Sequence, residues 1–334
     1  MSGIPAPAPV ATTPNQTRFD YLPAGLFGSV MGLTGLSVAW RLAHARYGVP
    51  TWPAAGLGAI AVTAFILLTL GYAVKFRTAP AAVRAEFNHP IAGNLFGTIL
   101  ISLLLLPIVL RPVNLLLAQL VWVVGAVGMV LFAWMIVSRW MSDRQQVAHA
   151  TPAWIIPLVG LLDVPLAIPS LGLPAMHGVM VLGLAVGLFF AVPLFTLIFS
   201  RLVFEPPMPD ALQPTLLILV APFAVGFSTY VATTGRVDLF AESLYVLTLF
   251  MLAVLLGRLR HLPACCPFRV SWWAVSFPLA ASAIAAQRFA AAEPGTVTDA
   301  IALALLAFAT VIICGLLIRT LVGVARGELR TLSS

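Results

Sequence analysis

The sequence predicts an all-α integral membrane protein that crosses the bilayer ten times. Three observations point there. Of 334 residues, 61% are hydrophobic and 9% charged, where a soluble chain carries about 25% charged residues. A soluble fold of this length has too little interior to hide that much apolar side chain. Second, ten apolar stretches each approach the roughly 20 residues a helix needs to cross about 30 Å of hydrocarbon. Third, Lys and Arg are dense in every other connection between those stretches and sparse in the rest.

The stretches run over about 23–43, 54–76, 91–110, 114–138, 153–170, 174–199, 214–234, 240–257, 270–288 and 297–320. Helices are expected because hydrocarbon leaves every backbone polar group to be satisfied within its own segment. The short alternating segments of a barrel are missing. Of the 18 Lys and Arg, 13 fall on one side: Arg18, Lys75, Arg77, Arg84, Arg139, Arg144, Arg201, Arg258, Arg260, Arg269, Arg319, Arg326 and Arg330. The other side holds 5: Arg41, Arg46, Arg111, Arg236 and Arg288. The positive-inside rule puts the larger group in the cytoplasm. Both termini are then cytoplasmic, which an even number of spans requires. The net charge of +7 is thereby read as contact with anionic lipid in a cell (inner) membrane, not as nucleic-acid binding.

The flanks are read as tails. Residues 1–20 form a disordered cytoplasmic tail, since MSGIPAPAPVATTPNQT has neither the basic nor the apolar region of a signal peptide. Residues 21–322 form the transmembrane domain and 323–334 a second cytoplasmic tail. The short turns RPV and SLGLP and the long charged segment KFRTAPAAVRAEFNHP alternate along the chain, giving five helical hairpins in series. FRTAPAAVRAEF suits a helix along the membrane surface, and His89–Pro90 starts the third span with Asn88 as its cap.

Prolines separate the two members of each hairpin. Pro107 lies in the third span, Pro157 and Pro165 in the fifth, Pro222 in the seventh and Pro278 in the ninth. The first span carries Gly25, Gly28, Gly32 and Gly35 instead, and among even spans the sixth has Pro193. A proline removes a donor and frees a carbonyl, which hydrocarbon tolerates only where protein or a wet cavity covers the bend. Odd helices are therefore expected inside and even helices outside. In the ninth span Ala274, Phe277, Ala281 and Ala285 share one stripe that ends near Arg288. Such a stripe admits either a neighbouring helix or an aqueous path. A lone ring at a proline bend suits a hydrophobic constriction, with a packed core phenylalanine as the other reading.

Polar groups within the spans are few. Ser29, Thr34, Thr98, Ser102, Ser228, Thr229 and Ser276 either face a passing anion or bond back to their own helices. Arg41 and Arg288 either concentrate anions at the outer mouth or snorkel to headgroups. Asp163, in VGLLDVPLA, is an ionisable group at membrane depth and so a site candidate. Four roles are open to it: a neutral carboxyl, proton coupling, an ion pair with an arginine of another helix, or hydrogen bonds to backbone freed near Pro165. His44, His89, His149, His177 and His261 are scattered, and Cys265, Cys266 and Cys314 have no metal or disulfide spacing. No metal, cofactor or hydrolytic carboxylate pair is implied. A membrane enzyme or sensor would need a polar cluster at one depth, and none is legible.

Four stretches together resemble one family. FGSVMGLTGLSVAWR (Phe27–Arg41), HPIAGNLFGTILISLLLL (His89–Leu106), LVAPFAVGFSTYV (Leu219–Val231) and WWAVSFPLA (Trp272–Ala280) resemble the first, third, seventh and ninth helices of TehA-like proteins. That family unites tellurite-resistance proteins, dicarboxylate and malate transporters, sulfite exporters and plant slow anion channels. The resemblance implies five hairpins around a pseudo-fivefold pore, odd helices inside and even ones outside, commonly in a homotrimer. It implies an anion channel or uniporter for species such as chloride, nitrate, malate or sulfite. A proton-coupled C4-dicarboxylate carrier and a sulfite or tellurite exporter are the alternatives. Phe277 takes the place of the family's pore-occluding phenylalanine. Phe27, Phe96, Phe223 and Ala281 become pore-lining candidates, and Pro107, Pro165, Pro222 and Pro278 the inner-helix kinks. Asp163 departs from the family pattern.

Overall fold

A computed structural model describes residues 19–173, 176–261 and 266–333. The tail over residues 1–18, Arg18 and Cys265 lie outside the described residues. Within them the chain is helical and contains no strand. The spans are α1 (Ala24–Tyr47), α2 (Trp52–Thr78), α3 (Ala92–Leu110), α4 (Leu115–Ser142), α5 (Pro152–Leu171), α6 (His177–Phe204), α7 (Asp210–Thr234), α8 (Leu239–Leu259), α9 (270–292) and α10 (Thr296–Ala325). Among the described residues nine of these are long and apolar enough to cross a membrane. The exception is α9, which is rich in alanine and carries Gln287 and Arg288. Its surroundings explain how it manages: 13 of the 17 residues of Ser276–Ala292 are buried against protein, so little of it needs to suit lipid.

Burial divides the helices into two classes. In α1, α3, α5 and α7, 61–83% of the most apolar stretch is buried, against 17–39% in the five even helices. Successive hairpins pack internally, and the odd helices also touch one another in the order α1–α3–α5–α7–α9, with α9 returning to α1. The even helices present large apolar side chains outward, among them Leu67, Trp134, Phe189, Phe250 and Ile318. Odd helices inside and even helices outside is thus the observed arrangement.

The two classes also differ in backbone. Every even helix is α throughout its span. Every odd helix opens with 3-10 turns and continues as α from Gly28, Gly97, Val164, Ala221 and Ser276, α5 having in addition one α turn, Ile156–Val159, between two 3-10 stretches. Pro165, Pro222 and Pro278 sit in the first turn after the change, where a fixed φ suits the α start. Pro107 alone of the four kink candidates lies inside an α segment. Hydroxyls cover the carbonyls left at these junctions. Thr98 donates to Ala24 O at 2.9 Å and Leu95 O at 2.7 Å, Ser102 to Phe27 O at 3.3 Å, and Ser276 to Gly28 O at 3.2 Å and Trp273 O at 2.7 Å. Thr229 donates to Leu162 O, three residues before Pro165. Each of these four ties one inner helix to another.

The terminal face is locked by charge. The helix Pro80–Asn88 follows α2 directly, and its Glu86 meets Lys75 Nζ at 2.6 Å, accepts from Tyr72 at 3.0 Å and accepts from Ala24 N–H at 2.7 Å. One carboxylate thereby fixes the start of α1 against α2. His89, not Asn88, caps α3: its Nδ1 accepts from the Ile91 and Ala92 N–H groups, while Asn88 ends the preceding helix. Residues 323–333 are no loose tail. After α10, Gly327 adopts φ +71, a left-handed turn that favours glycine, and the helix Leu329–Ser333 folds back. There Leu332 is buried and Arg330 reaches Asp20 at 2.6 Å. At the other face Asp238 caps α8, and the Tyr230 hydroxyl and the Ala241 N–H hold its carboxyl below the usual range.

The tightest approach lies between α1 and α9, where a methyl group on Gly32 would overlap the Ser276 side chain. Gly32→Ala is expected to cost about 1–3 kcal/mol through overpacking. Gly257→Ala and Gly315→Ala, where a methyl meets nothing within 4 Å, should stay level or gain up to about 1 kcal/mol of helix propensity. Thermal unfolding midpoints in detergent test that order; equal midpoints for all three contradict it.

Candidate functional site

Three cavities lie in series between the odd helices. The first, about 280 Å³, opens at the terminal face and draws lining residues from all five: Met31, Thr98, Asp163, Ile218 and Trp273 are examples. The helix Leu329–Ser333 contributes Leu332 and Ser333 to its rim. The second is a chamber of about 20 Å³, walled by Gly35, Val38, Leu105, Ile108, Leu166, Val225, Ser228, Phe277, Ala281, Ile284 and Arg288. The third, about 880 Å³, opens at the opposite face between the ends of α1, α7 and α9. Phe277 belongs to the walls of the first and second, and Arg288 to the walls of the second and third. Two side chains on one face of α9, about three turns apart, thus mark the boundaries of the series.

Small neighbours place the ring. Gly35 of α1 leaves room beside Phe277, and a Cβ there would lie 2.9 Å from the Ala280 methyl. Phe277 itself is 8% exposed, and that remainder faces the cavities. Ala281 continues the wall one turn further on. Phe27, Phe96 and Phe223 are placed differently, and none lines any of the three cavities. Phe27 meets Phe65 edge-on at 5.7 Å, Phe96 packs against Tyr72 and Phe87, and Phe223 against Phe195. These rings serve the inner–outer helix contact.

Among the seven hydroxyls, five are taken by backbone carbonyls: Ser29 bonds Leu26 O at 2.7 Å, and Thr98, Ser102, Thr229 and Ser276 bond as above. Thr34 and Ser228 have buried oxygens without a partner, and of these Ser228 lines a cavity. The arginines do not snorkel. Arg41 donates to Ile108 O at 3.1 Å and Arg288 to Ser228 O at 3.2 Å, both carbonyls of chamber-lining residues. Among the described residues neither arginine forms an ion pair.

Asp163 stands on the other side of the ring. It is 2% exposed, lines the first cavity, and its Oδ1 has no hydrogen-bond partner. Among the described residues no arginine pairs with it and it makes no hydrogen bond to the backbone near Pro165. The carbonyl near that proline is covered by Thr229 instead. No group of three His, Cys, Asp or Glu among the described residues is placed to hold a metal ion. The part of Leu332 and Ser333 in the rim escaped the sequence reading. Its signal is the pair Leu329 and Leu332 at helical spacing beyond a glycine turn.

A bundle of membrane-length helices with cavities running between its inner members defines a multi-pass membrane transport protein. The chain belongs to the SLAC1 family, described as voltage-dependent anion channels, whose pattern matches residues 21–321. It is 29% identical over 323 residues to the S-type anion channel SLAH3 of Arabidopsis thaliana, covering 92% of this chain and 50% of that one. The chain therefore spans half the length of that plant relative. It is 28% identical over 322 residues to the tellurite resistance protein TehA homolog of Haemophilus influenzae, covering 95% of both. An uncharacterized transporter of Methanocaldococcus jannaschii, MJ0762, is 29% identical over 238 residues, 64% of this chain and 68% of that one.

Because the Asp163 carboxyl has no partner to lose, Asp163→Asn is expected to keep the fold, with stability within about 1 kcal/mol of the parent or higher. A fall of about 3 kcal/mol or more, the size seen on breaking a buried pair, would show a partner and contradict this placement. Thermal unfolding in detergent decides.

Proposed function

We propose that the protein is an anion channel or uniporter whose path runs through the three cavities and is obstructed by Phe277. The observation that carries this reading is the shared wall: Phe277, together with Val225, lines both a cavity of about 280 Å³ and a chamber of about 20 Å³. The route is walled mainly by apolar side chains, and an apolar constriction of this kind blocks ions by excluding water. Arg288, in no ion pair among the described residues, lies beyond the ring and favours anions over cations. Family membership and relatives named as anion channels support the same class of cargo. In this reading the five odd helices form a pseudo-fivefold pore, and the chain sits in a cell membrane with both termini cytoplasmic, as a homotrimer with one pore per subunit. Chloride, nitrate, malate and sulfite are the anions to compare.

Asp163 favours a second reading, a proton-coupled carrier of a dicarboxylate, because it places an unpartnered carboxyl beside the same path. A carrier saturates and follows a proton gradient. A channel gives unitary currents and a linear current–voltage relation near reversal.

Phe277→Ala should raise anion conductance on the order of tenfold in planar bilayers, as expected on opening a hydrophobic constriction. An unchanged current in an assembled variant would contradict a gate at this ring. If protons act through Asp163, anion flux rises as pH falls, since the neutral carboxyl no longer repels the anion. Asp163→Asn should then hold flux at its acid level across the pH range. An unaltered pH profile in that variant removes Asp163 from the coupling.

A further inference from the structure

The obstruction at Phe277 leaves the groups beyond it unused. Resting on the anion-path reading above, we propose that Arg288 and Ser228 form an anion-binding site in the chamber between Phe277 and the opposite face, sized for one small monovalent anion such as a halide.

The argument begins with unsatisfied donors. Ser228 is 3% exposed, its hydroxyl oxygen has no partner, and it lines the chamber. Arg288 lies where the chamber meets the outer cavity. A guanidinium carries five N–H donors, and Arg288 gives one hydrogen bond, to Ser228 O at 3.2 Å. That bond ties its head to the backbone of the residue that carries the unpartnered hydroxyl.

The surrounding charges point the same way. Arg41, on α1, reaches the chamber wall through Ile108 O at 3.1 Å. Arg46 is neutralised by Asp299 at 2.7 Å, and Glu293 lines only the outer cavity. Asp163 lies across the Phe277 ring, in the first cavity. Among the described residues the chamber is therefore lined by one guanidinium, that of Arg288, and by no carboxylate.

Size selects the occupant. A space of about 20 Å³ holds about one water-sized species. A halide fits it, whereas a dicarboxylate spans several such volumes. One guanidinium, shared with a carbonyl, and one hydroxyl make a weak cradle, which suits an ion that must leave again.

The test uses the full chain in planar bilayers, in the Phe277→Ala background, with chloride varied on one side at a time. Arg288→Gln should raise the half-saturating chloride on the outer side by about fivefold, roughly 1 kcal/mol at 1.4 kcal/mol per tenfold. Arg288→Lys should restore part of the loss, and Ser228→Ala should raise the value by about twofold. Chloride dependence from the terminal face should stay as in the parent. Unchanged outer half-saturation, or equal change on both sides, overturns the site. Crystals of the unmutated protein soaked in bromide give an independent reading: an anomalous peak within about 3.5 Å of Arg288 and Ser228 Oγ supports the site, and water alone there overturns it. If Arg288→Gln fails to assemble, Ser228→Ala and the bromide peak decide. If neither the parent nor Phe277→Ala passes any anion, the conduction reading falls, while the bromide peak still decides the site.

Discussion

A helix in hydrocarbon has no water to complete its hydrogen bonds, so its backbone can be irregular only where protein or a cavity covers it. That constraint organises this molecule. The five outer helices are α throughout their spans, and the five inner ones each begin in 3-10 geometry. The irregular turns are buried, and the carbonyls at their junctions are met by threonine and serine hydroxyls from the same or the next inner helix. Hydroxyls that the sequence leaves open either to a passing anion or to helix carbonyls are thereby spent largely on backbone carbonyls of the inner helices.

What is left facing the cavities is sparse and asymmetric. On the terminal side of Phe277 stands one buried carboxyl without a partner. On the far side, among the described residues, the chamber holds the Arg288 guanidinium, no carboxylate and the unpaired Ser228 hydroxyl. A charge such as that of Arg288 in a poorly screened interior acts over longer distances than it would in water. The ring between the two sides lies beside Gly35 of α1 and Ala280 of α9, about one turn along from the close contact of Gly32 with Ser276.

Much of this was legible in the sequence, and the limits have physical causes. Ten spans, their hairpin order and the inner place of the odd ones follow from apolar length and proline position, because lipid makes both costly to violate. Phe277 and Asp163 stand out for the same reason: a lone ring among alanines and a lone carboxyl at depth are departures from a lipid-facing pattern. The 3-10 starts were not legible, since no residue type marks them. Pro165, Pro222 and Pro278 read as kinks, yet they mark where α geometry begins. Phe27, Phe96 and Phe223 share matched stretches with cavity-lining residues but line none of the three cavities, and periodicity alone does not orient a helix that is apolar all round. Hydroxyl partners across helices, such as Thr229 with Leu162, depend on pairs far apart in sequence.

The central claim is that a single ring interrupts an otherwise continuous path between the inner helices. Cysteine accessibility tests it most directly, in a chain whose 3 native cysteines are replaced. Ala274→Cys lies on the terminal side of the ring and Ala281→Cys beyond it. A membrane-impermeant thiol reagent applied at the terminal face should label the first and spare the second, and removing the Phe277 ring should expose both. Labelling of Ala281→Cys with the ring intact, or continued protection after its removal, would contradict the account.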